Sequence, residues 1–372
     1  MEENKDYLLI INRALYQLFE ANSILHPHEK ILIFEDGRIN GGDFEKNYGA
    51  PDNSLKSQPA KKSGLRIFIG GWKYFFLTFL MWLRFSGFFI KTVHRYRISK
   101  LYAVWQGGIW TWMWCKLLQV KLIYSVNASG KLMLYKNLIR FFDTQYYVVQ
   151  KAHALDFLSP SLVKIYRKAM GNKLKGNILK TPNSFVDYTH YYPVYPKKRR
   201  VVFLGRLEPL KHPMLFMEAV KLLLKNRKYE DVEFYVVGTG SEFSRLQKYA
   251  HDQDMQNVVF YGLYSRPWEI LREASVFVSL QTSENYPSQS LIEAMACETG
   301  VVVTDVGDTR QLVTEQEGIL VSHDNVEVAG AIARLLDNPG LRKSLGENAR
   351  LKVINNHTLG KFVEWFEGIM EA

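Results

Sequence analysis

The chain has 372 residues, room for two domains of ordinary size, and its 47% hydrophobic and 23% charged residues exclude a disordered chain. Two cysteines, Cys115 and Cys297, are too few for a disulfide framework or a zinc cage, which fits a reducing cytoplasm and leaves redox and structural-metal roles out. The net charge of +11 is unevenly spread: residues 1–200 hold 31 Lys and Arg against 13 Asp and Glu, and between Asn53 and Arg200 the count is 26 against 3, an excess that attracts nucleic acid or an anionic membrane.

In chain order, the spacing of apolar residues predicts a helix over Tyr7–Leu25 and a buried strand over Lys30–Phe34. No N-terminal signal peptide is expected, because Met1–Asp6 is acidic and the helical stretch after it carries Arg13 and Glu20. A polar stretch runs to Ser63, then a strand over Leu65–Ile69. The aromatic segment from Trp72 to Arg97 reads as helix, and its longest uncharged run, Tyr74–Leu83, has ten residues. A spanning helix needs about 20, so this segment is expected not to cross a bilayer. Six of the eight tryptophans fall within 43 residues among many cations, a combination that favours a membrane interface; burial in the first domain's core is the alternative.

Two further strands, Lys100–Trp105 and Val120–Val126, end at Gln106-Gly107-Gly108 and Asn127-Ala128-Ser129-Gly130. Ligands of open parallel sheets sit at the carboxyl ends of strands, so Gly107, Gly108 and Asn127 are candidate cleft residues of the first domain. Tyr192–Pro196 and the basic run Lys197–Arg200 mark a linker. Strands are then expected at Arg200–Leu204, Val232–Val237, Val258–Tyr261, Val276–Leu280, Val301–Thr304 and Gly318–Val321, with helices between them. This rhythm makes a doubly wound α/β domain. The expected organisation is residues 1–195 as a first Rossmann-like domain, 196–350 as a second, and 351–372 as a helix packing back toward the first, with a ligand cleft between the domains.

The first turn of the second domain, Gly205-Arg206-Leu207-Glu208-Pro209-Leu210-Lys211, places two cations at the end of a strand. Arg supplies a planar fork and Lys a point charge, which together suit a pyrophosphate and the charge developing on a phosphate leaving group. Gly238-Thr239-Gly240 leads a strand into a helix, and such a turn lets backbone approach a nucleotide. In Ser283–Cys297, Glu284 ends a strand and Glu293 lies one turn into a helix whose opening residues, Ser288, Gln289, Ser290 and Leu291, offer amides to phosphate. Glu293 suits ribose hydroxyls. Asp252-Gln253-Asp254 and the pair His26 and His28 have no supporting ligand spacing, and no metal is expected.

From Phe157 onward the sequence resembles the retaining glycosyltransferases of family 4, of GT-B architecture. The carriers are the turn Gly205–Lys211, the turn Gly238–Gly240, the strand-and-glycine pattern Val258–Gly262, Glu293-Ala294-Met295-Ala296-Cys297, and Thr181-Pro182-Asn183-Ser184-Phe185-Val186-Asp187 before the linker. The resemblance implies that Arg206 and Lys211 bind the donor diphosphate, Glu293 the ribose and Glu284 the transferred sugar, with retention and without a metal. Three departures stand out. Eight residues separate Glu284 from Glu293 where the family usually has seven, Asn127 stands where many members have histidine, and a helix is expected before any strand, so that a first βα unit is shortened or absent.

The function this implies is a hexosyltransferase-type glycosyltransferase of polysaccharide biosynthesis, with a nucleotide-sugar as co-substrate and no cofactor. Its acceptor would be a lipid-linked or cell-surface glycan, and the protein would be cytoplasmic and peripheral on the anionic inner face of the cell membrane, with no nucleic-acid partner. The alternative is a non-catalytic, membrane-associated nucleotide-sugar-binding partner of a glycan assembly complex.

Overall fold

The computed structural model describes residues 8–9, 33–35, 38–40, 82–83, 85–95, 97–104, 106–126, 144–179, 188–283, 286–358, 360–362, 364–365 and 368. They fall into two compact units, Met1–Leu158 with Leu162–Lys180, and Ser159–Ser161 with Thr181–Ala372.

In the first unit, β1 (Leu8–Leu9), β4 (Lys100–Val104), β5 (Lys121–Val126), β6 (Ala154–Phe157) and β7 (Asn177–Leu179) form a parallel sheet in that order. β2 (Ile33–Glu35) and β3 (Arg38–Asn40) pair antiparallel in a separate ribbon. The helices are α1 (residues 85–95), α2 (Gln106–Leu117), α3 (Thr144–Lys151) and α4 (Pro160–Met170).

One N-terminal expectation changes. Leu8 and Leu9, expected within a helix, are strand residues registered against Leu101 and Tyr102. The apolar run Tyr7–Ile11 satisfies both a helix face and a short buried strand, and pairing with β4 decides it. A strand therefore precedes any described helix. Of the expected strand Lys30–Phe34, the described residues Ile33 and Phe34 are strand, paired with Asn40 and Ile39 of β3 in the ribbon, and Glu35 is registered against Arg38. The strand expected at Leu65–Ile69 lies outside the described residues.

The described tryptophans of this unit pack with its core. Trp82 stacks on Trp114 with ring centroids 5.8 Å apart, and Phe85 meets Trp110 edge-on at 5.4 Å. Trp82 Nε1 donates to the Trp110 carbonyl at 3.3 Å and Trp114 Nε1 to Ser86 Oγ at 2.8 Å, so the ring edges are satisfied inside the protein. Trp110, Trp112 and Trp114 pack against a core built on Leu101, Leu122, Tyr124 and Leu155. The described tryptophans of this unit thus join α1 and the residues just before it to α2, and among the described residues the membrane argument rests on the cations. Trp72 and Trp105 lie outside the described residues.

The second unit has six parallel strands: β8 (Lys198–Leu204), β9 (Glu233–Val237), β10 (Val258–Gly262), β11 (Ala274–Ser279), β12 (Gly300–Thr304) and β13 (Gly318–Val321). Between and after them run α5 (Pro213–Leu224), α6 (Phe243–Asp252), α7 (Trp268–Leu271), α8 (Gln289–Ala296), α9 (Thr309–Leu312), α10 (Asn325–Asp337) and α11 (Pro339–Asn356). The spatial order β10-β9-β8-β11-β12-β13 is that of a nucleotide-binding Rossmann sheet, and its direction reverses between β8 and β11. The Val-rich strands are buried on both faces. Val201, Phe203, Phe234, Val236, Val276 and Val278 join one core, while Val202, Tyr235, Val237, Phe277, Val301 and Val303 join the other. A side-chain period of two therefore gives continuous hydrophobic runs rather than alternation.

Candidate functional site

The loops that leave β8 and β11 meet at the point where the sheet reverses, the place where such sheets bind ligands. Thr282 after β11 donates its backbone N–H to the Leu210 carbonyl at 2.9 Å and its Oγ1 to the same atom at 3.2 Å. The two loops are one structure. The β8 loop closes in a 3-10 turn, Pro209–Lys211, and His212 takes a left-handed conformation (φ 51°) before α5.

Glycines shape this rim by allowing backbone to pack on backbone. A Cβ on Gly238, whose φ is +132°, would lie 1.9 Å from the Gly205 carbonyl oxygen, and one on Gly240 would lie 2.4 Å from the Leu207 carbonyl oxygen. Gly205 N–H donates to Val237 O at 3.0 Å and Leu207 N–H to Thr239 O at 2.9 Å. Glu208 fastens the same two loops by accepting from Ser241 N–H at 3.0 Å and Ser241 Oγ at 2.5 Å. These bonds hold its carboxyl below the usual range. The turn Gly238–Gly240 is thus the seat of the β8 loop.

That loop presents Arg206, exposed, and Lys211, half-buried. Burial first, and the Arg206 charge second, push the Lys211 ammonium down from 10.5 to about 8. Among the described residues no carboxylate pairs with either cation. Glu208 in the same turn feels the Arg206 charge but is bonded to Ser241 rather than paired with either cation, so the turn keeps a net positive charge that suits an anion with more than one negative charge.

Glu293 lies in α8, where burial raises its carboxyl from 4.5 to about 7. Gln289 Nε2 donates to its Oε1 at 3.3 Å, and Tyr191 bonds to it as well. The N-cap residue Ser288 is buried and makes no side-chain capping bond, while Gln289 and Ser290 lie nearer the surface and Leu291 is buried. At the other end of α8, Lys197 Nζ donates to Cys297 O at 2.6 Å and Arg350 Nη1 to Ala296 O, two cations on the negative end of the helix dipole.

Sequence reasoning missed Gln281, His212 and His323. Gln281 is 8% exposed, its carbonyl accepts from Thr304 Oγ1 and His323 Nε2 at 2.8 and 2.7 Å, and the rings of His212 and His323 are 5.5 Å apart. None lies in a recognisable spacing pattern, since each is placed by tertiary packing.

Gly107 and Gly108 are buried in the first turn of α2, where a Cβ on Gly108 would lie 2.3 Å from the Tyr124 ring. Close packing of α2 on β5 accounts for Gly108. Asn127 and Glu284 lie outside the described residues. Among those described, no three His, Cys, Asp or Glu side chains gather as a metal site, and no helix is long and apolar enough to cross a membrane. Asp254, of the declined pair, accepts from Gln256 on the surface.

Against known proteins, the fold over nearly the whole chain is GT-B: Anabaena HepE, solved with UDP and glucose, superposes with a TM-score of 0.70 at 15% identity, covering 99% of this chain and 100% of that one. Residues 191–352, in the second unit, match the family model of glycosyl transferases group 1. The D-inositol 3-phosphate glycosyltransferase of Paenarthrobacter aurescens (strain TC1) is 32% identical over 163 residues, 42% of this chain and 40% of that protein. The UDP-Gal:alpha-D-GlcNAc-diphosphoundecaprenol alpha-1,3-galactosyltransferase of Escherichia coli is 29% identical over 175 residues, 45% and 44% of the two chains. The matches span less than half the length of these curated relatives.

Proposed function

We propose that the protein is a glycosyltransferase that takes a sugar from a nucleotide-sugar and passes it to a lipid-linked or cell-surface glycan. The observation that carries this reading is the pair Arg206 and Lys211, in ion-pair contact with no described carboxylate and seated at the reversal point of a Rossmann sheet. A nucleoside diphosphate leaving group supplies the missing negative charge. Arg206 and Lys211 neutralise it as the bond to the anomeric carbon breaks, the first-turn amides of α8 face its oxygens, and Glu293 accepts from the ribose hydroxyls. The acceptor hydroxyl forms the new bond. Retention, independence of metal and the role of Glu284 rest on the family resemblance.

The lipid-linked acceptor is supported by the likeness to an enzyme named for a diphosphoundecaprenol substrate. It also agrees with the exposed cations of the first unit, including Lys91, Arg97, Lys116 and Lys121, which suit the anionic inner face of the cell membrane. Two assays test the reading. Nucleoside diphosphate release from UDP-, GDP- or ADP-sugars in the presence of a lipid-linked glycan extract should require Arg206 and Lys211, and an Arg206→Ala chain that releases as fast as wild type refutes the site. Flotation with phosphatidylserine vesicles should show salt-sensitive binding; its absence at low salt refutes the membrane partner.

A further inference from the structure

A cavity of about 10 Å³ is walled by Ser279, Gln281, Ser288, Thr304 and Thr309 on its polar side and by Leu291 among its apolar neighbours, and Gln281 is next in the chain to Thr282, which bonds to Leu210 of the cation turn. It adjoins the N-terminus of α8. That volume admits about one water-sized group and no sugar ring.

Gln281 makes the cavity chemically specific. Its backbone carbonyl is held by Thr304 and His323, and its Nε2 donates to Ser279 Oγ at 3.2 Å. The remaining amide atom, Oε1, is buried and has no partner. Turning the amide over exchanges the two roles and leaves Nε2 unmatched instead, so an unmatched amide atom stands there in either orientation. Leaving such a group buried and unbonded is costly, and a hydroxyl, which both donates and accepts, satisfies either orientation. A carbonyl or an ammonium serves only one.

We propose that Gln281 is a specificity residue: its side-chain amide reads one hydroxyl of the transferred sugar, which enters this cavity while the diphosphate rests on Arg206 and Lys211. The inference rests on the donor-site reading above. The rival occupant with the same chemistry is an ordered water, and the two are separated by comparing a sugar nucleotide with its bare nucleotide. UDP and UDP-glucose, GDP and GDP-mannose, and ADP and ADP-glucose are titrated by calorimetry into the full chain, into Gln281→Met and into Gln281→Glu.

The sugar should add affinity over the bare nucleotide for at least one pair in the wild type. Gln281→Met should reduce that increment about 3- to 10-fold, the range expected for one hydrogen bond to a neutral group, and leave the bare nucleotide unchanged. Gln281→Glu, which buries an unpaired charge and loses the donor to Ser279, should weaken the bare nucleotide as well, whereas unchanged bare-nucleotide affinity in Gln281→Met shows that its loss is not one of folding. An unchanged increment or equal weakening of both ligands in Gln281→Met, or no sugar increment in the wild type, overturns the proposal and leaves the cavity to water. A wild type that binds none of the nucleotides refutes the donor-site reading itself, and this inference falls with it.

Discussion

The carboxyl of Glu293 is raised from 4.5 to about 7 because burial strips it of water, a loss that hydrogen bonds from Gln289 and Tyr191 offset in part. A carboxyl whose value is higher in the folded chain than in the unfolded one binds its proton more tightly when folded. Its contribution to stability therefore falls as pH rises from about 4.5 to about 7, and the cost stands in full above that. A shift of this size corresponds to about 3 kcal/mol at roughly 1.4 kcal/mol per unit, and partial exposure trims it to about 1–3 kcal/mol. Glu293→Gln removes the cost. The variant should melt roughly 2–12 °C above wild type at pH 8, and the gap should shrink to well under half of that at pH 5, where the wild-type group is already protonated. The same substitution should weaken nucleotide binding about 10- to 100-fold, since a charged acceptor of ribose hydroxyls is lost. Scanning calorimetry at the two pH values, without ligand, is the assay. A Glu293→Gln chain that melts below wild type at pH 8, or whose gain is the same at both pH values, refutes the reasoning.

Other outcomes concern the same rim and its supports. Lys211 must be charged to hold a phosphate, so UDP affinity should fall as pH rises through about 8, whereas Lys211→Arg should flatten that profile; calorimetric titration from pH 7 to 9.5 decides. Without ligand the sign is opposite, because a lysine depressed in the folded state adds stability as pH climbs from about 8 toward 10.5. Gly238→Ala should destabilise by more than about 3 kcal/mol in denaturant titrations, since its Cβ meets the Gly205 carbonyl, while Gly330→Ala, in open space on α10, should stabilise by about 0.5–1 kcal/mol. Arg350→Leu removes a donor from the Ala296 and Tyr191 carbonyls and should cost about 1–3 kcal/mol, read from the urea midpoint.

The sheet of the second unit was legible because Val-rich runs buried on both faces leave little choice of secondary structure, and Arg200–Leu204 and Gly318–Val321 were placed within two residues. The first unit was harder to read for a physical reason. A five-residue apolar run such as Tyr7–Ile11 carries no period of its own, and only its pairing with β4 makes Leu8 and Leu9 a strand. The tryptophans were ambiguous in a similar way, since amphipathic rings suit a lipid interface or a core, and here the Trp110 carbonyl and Ser86 satisfy the N–H groups of Trp82 and Trp114 internally. At the site, the cation turn and the glutamate helix were visible as motifs. What Gly238 and Gly240 accommodate was not, because a glycine announces a close approach without naming what approaches. Gln281 had no sequence signal, for its unmatched amide exists only once β11, β12 and α8 are assembled.

The most direct test of the central claim is calorimetric titration of UDP, GDP and ADP into the full chain and into Arg206→Ala/Lys211→Met. The account predicts that at least one nucleotide binds the wild type and that the double variant, still folded, binds it at least about 100-fold more weakly, as two charge-assisted contacts imply. Equal affinity in the two chains, or no binding by either, contradicts it.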